Sequence, residues 1–261
     1  SMAAKCTAAL ANNARGLVSL GGYGGYLTFH FDHRIANIHG ENDLYIAGNS
    51  FASADPQWAA LGGASEPGIV MVSRDDNRNG LPDDQWYELR GSADEDSVGR
   101  VDYAYALHYI RTTEGAITWS DNRGNQGVVA NNAYHTQHYF PRWLTAPLRF
   151  SGTLLPPNRF LVGAGGGQWL GFFLRWGYVD NKPNNDRAAN SFNIDDAVDA
   201  QRRPVSLDGI DFVRVYTATR QINAPLGESS TEVSGAEDLH PEASLRRFPR
   251  ASKFRPMRAH H

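Results

Sequence analysis

Short runs in which apolar and polar residues alternate, interrupted every few residues by glycine or proline, constrain this chain more than any other feature. The clearest are Tyr26-Leu27-Thr28-Phe29-His30-Phe31, Asp43-Leu44-Tyr45-Ile46-Ala47, Gly68-Ile69-Val70-Met71-Val72-Ser73 and Trp86-Tyr87-Glu88-Leu89, with further runs from Tyr103 to Ile110 and from Ile210 to Tyr216. Residues two apart share one face of a strand, and each run has strand length and strand composition. The 26 glycines and 13 prolines fall mainly between the runs, where turns need them. Helical periodicity is confined to two short stretches, Gln57 to Leu61 and Asp195 to Ala200. A parallel α/β sheet needs crossover connections of roughly a dozen residues, usually helical, and none can be placed. The expected fold is all-β, a single antiparallel β-sandwich with jelly-roll-like winding. No fixed-period repeat points to a propeller or solenoid.

Strand signals recur without a linker from residue 16 to 240, which reads as one domain. Residues 241–261 are a basic C-terminal tail, with Arg246, Arg247, Arg250, Lys253, Arg255 and Arg258 against the single acid Glu242. The tail is expected to be solvated or folded back on the more acidic body. A formal net charge of −3 gives no reason to expect nucleic acid as partner. No apolar run approaches the ~20 residues of a membrane-spanning helix. The lone Cys6 excludes an intrachain disulfide and reads as an exposed thiol in a loose N-terminal arm.

The sharpest chemical signal is Asp75-Asp76-Asn77-Arg78-Asn79-Gly80-Leu81-Pro82-Asp83-Asp84. With Asp75 as position 1 of an EF-hand-like loop, oxygen side chains fall at positions 3 (Asn77), 5 (Asn79) and 9 (Asp83). Gly80 sits at the turning position, and Leu81 can offer its carbonyl. Hard oxygen ligands at these spacings suit a structural calcium ion. Trp86 stands where a bidentate Glu would be, so Asp84 or Glu88 is the expected closing ligand. The alternative is a plain hairpin turning at Asn79-Gly80, with no ion. The amide-rich stretch Asp180 to Asp199 either contributes to a metal site or is a loop whose Asn and Asp side chains bond their own backbone.

His30 with His33, and His135 with His138, lack a third ligand in register for zinc. No nucleophile elbow, phosphate loop or dinucleotide fingerprint appears. Six tryptophans and eleven tyrosines are a heavy aromatic load, suited to stacking platforms or to core filling. Trp143, Trp176 and Tyr178 border Pro- and Asn-rich turns and are the candidate ligand-facing aromatics, while Trp86 and Trp119 lie inside strand patterns.

The blocks Gly24 to Phe29, Phe31 to Ile35, Gly48 to Phe51, Glu66 to Val72, Asp75 to Leu89, Trp176 to Asn181, Phe192 to Ala200, Ile210 to Tyr216 and Gly227 to Val233 together resemble a group of secreted or cell-surface bacterial proteins, often carrying PKD-like modules. The resemblance implies a galactose-binding-like jelly roll with its first and last blocks as neighbouring strands. It also implies an extracellular, cell-surface or periplasmic location and an association with outer-membrane uptake machinery, including that for cobalamin. No catalytic residues carry over. The expected function is a non-catalytic binding module with a calcium site, capturing a carbohydrate or cobalamin-like ligand. A structural or adhesive surface domain and a calcium-dependent carbohydrate-active enzyme are the alternatives.

An ion held by the folded chain alone stabilises it by about 2.7 kcal/mol at a hundredfold excess over Kd. The melting temperature is therefore expected to fall when calcium is chelated, and Asp75→Ala or Asp83→Ala to remove that difference. Identical melting curves with and without chelator would leave a plain hairpin.

Overall fold

The computed structural model describes residues 2–96, 99–112, 116–130, 133, 140, 141, 144, 146–163, 167–223 and 226–249. All six alternating runs form strands, Tyr26–Ala36, Leu44–Ala47, Gly68–Ser73, Trp86–Leu89, Asp102–Arg111 and Gly209–Thr217, with only Asp43 left just outside its strand. The fold is all-β and antiparallel. Its centre is Gly209–Thr217, which pairs on one side with Tyr26–Ala36 and on the other with Gly68–Ser73. Trp86–Leu89 and then Ala197–Val198 extend the same sheet to five strands. The first block is thus hydrogen-bonded to the Ile210 to Tyr216 block, whereas the last block, Gly227 to Val233, pairs with Val18–Ser19 and Ile222–Asn223 instead.

Both faces of this sheet are covered. On one face Val70, Val72, Val213, Val215 and Leu89 pack with Leu44, Ile46 and Phe192, which belong to a three-stranded sheet of Ser191–Phe192, Leu44–Ala47 and Gly235–Asp238. On the other, Ile69 and Tyr216 pack with Tyr105 and Leu107 from a four-stranded sheet of Leu148–Leu154, Asp102–Arg111, Ile117–Asp121 and Gln126–Val128. Each fully buried Val or Leu contributes about 1.5–3 kcal/mol relative to exposure. A strand buried on both faces has little room for polar side chains, which fits the apolar Ile210, Phe212, Val213, Val215 and Tyr216, with Arg214 as the exception.

The second core is aromatic and carries polar groups that must be paired. Tyr23 meets Tyr105 edge-on at 5.2 Å, and Phe150 lies 4.9 Å from Tyr216. The fully buried Tyr216 hydroxyl accepts the Thr153 N–H at 2.9 Å and lies 3.3 Å from both Glu88 Oε2 and the Thr153 carbonyl. Glu88 also takes Thr153 Oγ1 at 2.8 Å and pairs with Arg202. Burial drives the Tyr216 hydroxyl well above its ordinary pKa, so it stays protonated and donates.

Four local expectations change. Asp195 to Ala200 is no helix: a 3₁₀ turn, Ile194–Asp196, leads directly into Ala197–Val198, which the sheet recruits against Glu88 and Leu89. Gln57 to Leu61 belongs to a hydrogen-bonded turn closed by Ala59 N to Asp55 O and Gly62 N to Trp58 O. The N-terminal arm is a helix, Met2–Leu10, whose Leu10 packs on the first core and whose Cys6 is half-buried. The start of the basic tail is also a helix, Pro241–Arg247, docked beside Tyr26–Ala36, so the domain runs past residue 240. Its fully buried Ser244 Oγ accepts the Ala36 N–H at 2.9 Å, Arg247 donates to the Asn37 carbonyl, and Arg34 stacks on Phe248.

Ser244→Ala would leave the Ala36 N–H buried without its acceptor. A loss of about 1–3 kcal/mol in denaturant unfolding is expected. No measurable change would mean that the helix does not hold this strand end.

Candidate functional site

The segment 74–85 joins two adjacent strands whose last pairing is Ser73 with Trp86, so Asn79-Gly80 is not the two-residue turn of a tight hairpin. It is a folded loop organised by its own carboxylates and amides. Asp75 Oδ1 and Oδ2 accept the N–H groups of Asn79 and Gly80 at 3.1 and 2.9 Å. Asn77 Oδ1 accepts the Asn79 N–H, and Asn79 Oδ1 the Leu81 N–H. Both amide nitrogens turn to Asp83, at 3.2 Å from Asn77 and 3.0 Å from Asn79. Arg78 and Gly80 adopt left-handed φ of 59° and 75°, which coils the loop tightly enough for these contacts.

Asp75, Asn77, Asn79 and Asp83 are therefore neighbours, as their spacing predicts. The base of the loop is anchored by Asp211, which accepts the Asp75 N–H at 2.7 Å while paired with Arg34. Glu88 is not a closing ligand: it lies in a strand, and both its oxygens are engaged by Arg202, Thr153 and Tyr216. Asp84 has one carboxylate oxygen, Oδ2, that is buried and has no hydrogen-bond partner among the described residues.

The Asp180 to Asp199 stretch mostly behaves as the plain loop reading expects. Asn181 caps Leu174 through both its N–H and carbonyl, Asn184 does the same for Gly48, and Asn190 donates to Lys182, Pro183 and Asp186 carbonyls. Asp180 is the exception. It joins Glu66 and Glu232 in a group whose carboxylate oxygens lie within 4.8 Å of one another. Asp180 accepts N–H groups from Asn49 and Glu232, at 2.7 and 2.9 Å. Glu232 takes Ser19 Oγ and Asn49 Nδ2, and Glu66 faces Arg159 at 3.5 Å. Burial first, opposed by the Asn49 N–H and joined by the Glu66 charge, holds the Asp180 carboxyl well above the carboxylate range. Burial likewise raises Glu66, against the opposing Arg159 charge. Glu66 and Glu232 escape sequence reasoning because neither stands in a local pattern of ligand-bearing side chains like that of residues 75–84.

Trp176 lines a cleft of about 210 Å³ together with the apolar Leu89 and Phe192 and the polar Arg90, Asp196, Asn193, Asn42 and Ser191. Its backbone is fixed by Ser92, through Ser92 N to Trp176 O at 3.1 Å and Trp176 N to Ser92 Oγ at 3.2 Å. Arg90 donates to Asp196 at 3.2 Å. Tyr178, expected to face a ligand, is instead core: it is 3% exposed and its hydroxyl accepts the Ala93 N–H. Gly177, at φ 91°, turns the chain between the two aromatics; a Cβ there would fall 2.5 Å from Gly91 Cα. Trp143, His135 and His138 lie outside the described residues. His33 is bonded on both ring nitrogens, to Asp32 and Asp238. No protein-family model matches the chain, and no curated protein matches it closely enough to count as a relative.

Because Asp180 and Glu66 bind a proton more tightly folded than unfolded, their contribution to stability falls as pH rises above the unfolded values of 3.8 and 4.5 toward the raised folded ones. A lower melting temperature at pH 8 than at pH 5 is expected, with a shallower dependence in Glu66→Gln. A divalent cation held by the three carboxylates would reverse that slope when the ion is supplied.

Proposed function

We propose that this protein is a non-catalytic β-sandwich of the cell exterior that captures a carbohydrate through the Trp176 cleft. The observation that carries this is the composition of the cleft, whose lining combines an indole and two apolar side chains with amide, carboxylate and guanidinium groups. Sugars present a face of C–H groups to an aromatic ring and an edge of hydroxyls to such planar polar groups. The volume narrows the ligand. At about 210 Å³ the cleft is smaller than the roughly 300–1,000 Å³ of drug-sized sites and suits a single sugar ring, whereas a corrin macrocycle exceeds it.

Calcium enters this reading as a stiffener of the 75–84 loop. The ligands are Asp75, Asn77, Asn79, Asp83 and the Leu81 carbonyl, and the unpartnered Oδ2 of Asp84 supports a closing role for that residue in place of Glu88. Location outside the cytoplasm and contact with outer-membrane uptake machinery rest on the family resemblance alone. The adhesive alternative draws on the cross-strand pair Leu161 and Trp169, exposed at 56% and 37%.

Calorimetric titration with a panel of monosaccharides, calcium present, tests the proposal. Binding is expected to weaken at least about tenfold in Trp176→Ala, as when an aromatic contact worth more than 1.4 kcal/mol is removed. Equal binding by the variant would remove the cleft from consideration. Turnover of the bound glycan would establish an enzyme, and silence across the panel would bring the adhesive reading forward.

A further inference from the structure

Two half-buried arginines, Arg214 and Arg220, have no carboxylate within ion-pair distance among the described residues, and Arg220 lies over the Trp119 ring with a buried Nη. Arg34, Arg159 and Arg202 each pair with a carboxylate, from Asp211, Glu66 and Glu88. Arg214 is half-buried in the central strand, and among the described residues no carboxylate lies within ion-pair distance of it. Its Nε donates to Thr28 Oγ1 at 3.0 Å. Its guanidinium carbon lies 4.1 Å from the centroid of the Trp86 ring and 4.7 Å from that of Tyr26.

The register explains how the rings reach it. Arg214 stands opposite Thr28 on one neighbouring strand and Met71 on the other, and Met71 stands opposite Glu88 on the next. Trp86 and Tyr26 therefore approach from opposite sides, and both are diagonal to Arg214. Rings to either side and a spent Nε leave the two Nη groups, which have no hydrogen bond to any described residue. These form the fork that matches a carboxylate with two parallel hydrogen bonds. Burial without a counter-ion lowers the Arg214 pKa from its ordinary value, a cost that an anion would offset. The rings are themselves held: Trp86 Nε1 donates to the Pro82 carbonyl of the 74–85 loop, and Tyr26 lies 6.4 Å from Phe150.

We propose that Arg214, framed by Trp86 and Tyr26, is a binding subsite for the carboxylate of a small anionic ligand, separate from the Trp176 cleft. The Thr28 hydroxyl and the rings fix the plane of the guanidinium before the ligand arrives, so little side-chain freedom is lost on binding. Tyr26, 56% exposed, puts the subsite within reach of solvent.

Calorimetric titration of the full chain at low ionic strength, with glucuronate, acetate and methyl glucoside as probes, tests this. Glucuronate is expected to bind, to weaken at least about tenfold in Arg214→Gln, and to weaken with added salt. Arg214→Lys, which keeps the charge but not the fork, is expected to fall between the two. Tyr26→Leu alters an exposed ring and serves as a second variant should Arg214→Gln fold poorly; weaker glucuronate binding is expected from it as well. Acetate binding as tightly as glucuronate would show a subsite reading the carboxylate alone, and tighter glucuronate binding would show that the sugar ring contributes. Both support the proposal, and methyl glucoside should not compete. It is overturned if neither acid binds, or if Arg214→Gln, with native circular dichroism, binds glucuronate as the parent does. Trp176→Ala separates the two sites: it should leave glucuronate binding at Arg214 intact even if the cleft proves to bind no sugar.

Discussion

The burial of the central strand Gly209–Thr217 on both faces is the constraint from which the other layers follow. Val213 and Val215 project into one core and Phe212 and Tyr216 toward the other side, so neither face can be left to water. A single sandwich partner would leave one set exposed. The small sheet containing Leu44 and Ile46 covers the first face, and the four-stranded sheet containing Tyr105 and Leu107 covers the second. The two covers differ in chemistry. The first is aliphatic, while the second admits Tyr216, Glu88, Thr153 and Arg202 because each polar atom there finds a partner.

That same strand also positions the loop chemistry. A register shift between Ile210 and Phe212 marks an irregularity at Asp211, which pairs with Arg34 and accepts the Asp75 N–H. The acidic loop therefore starts from a fixed point on the sheet. Trp86, at the loop's other end, is tied back to Pro82 and lies against Arg214.

The parts of the site that depend on local spacing were readable in advance. Asp75, Asn77, Asn79 and Asp83 come together because a coiled loop of ten residues determines its own side-chain neighbours. Glu88 shows where this reasoning stops: in sequence it is four residues from Asp84, yet a strand carries it away from the loop and turns its carboxylate into the second core. Trp176 and Tyr178 make the same point at shorter range. They looked equivalent beside one turn, but the positive φ of Gly177 sends one to a cleft and the other beneath the surface. Glu66, Asp180 and Glu232 converge from three distant segments, a meeting that no local pattern records.

By itself the sequence determined that the chain is all-β, where its principal strands lie, and that one loop concentrates carboxylate and amide side chains. Each follows from interactions among residues close along the chain, namely side-chain alternation, turn chemistry and local hydrogen bonding. Only the tertiary structure decided that the tail begins as a docked helix, that Asp180 meets two other acids, and that Arg214 lies against two rings with no carboxylate within ion-pair distance among the described residues. Those outcomes depend on which distant strands become neighbours and how much water is left between them. That is a property of the packed whole, because the cost of burying a charge is set by every group around it rather than by its neighbours in sequence.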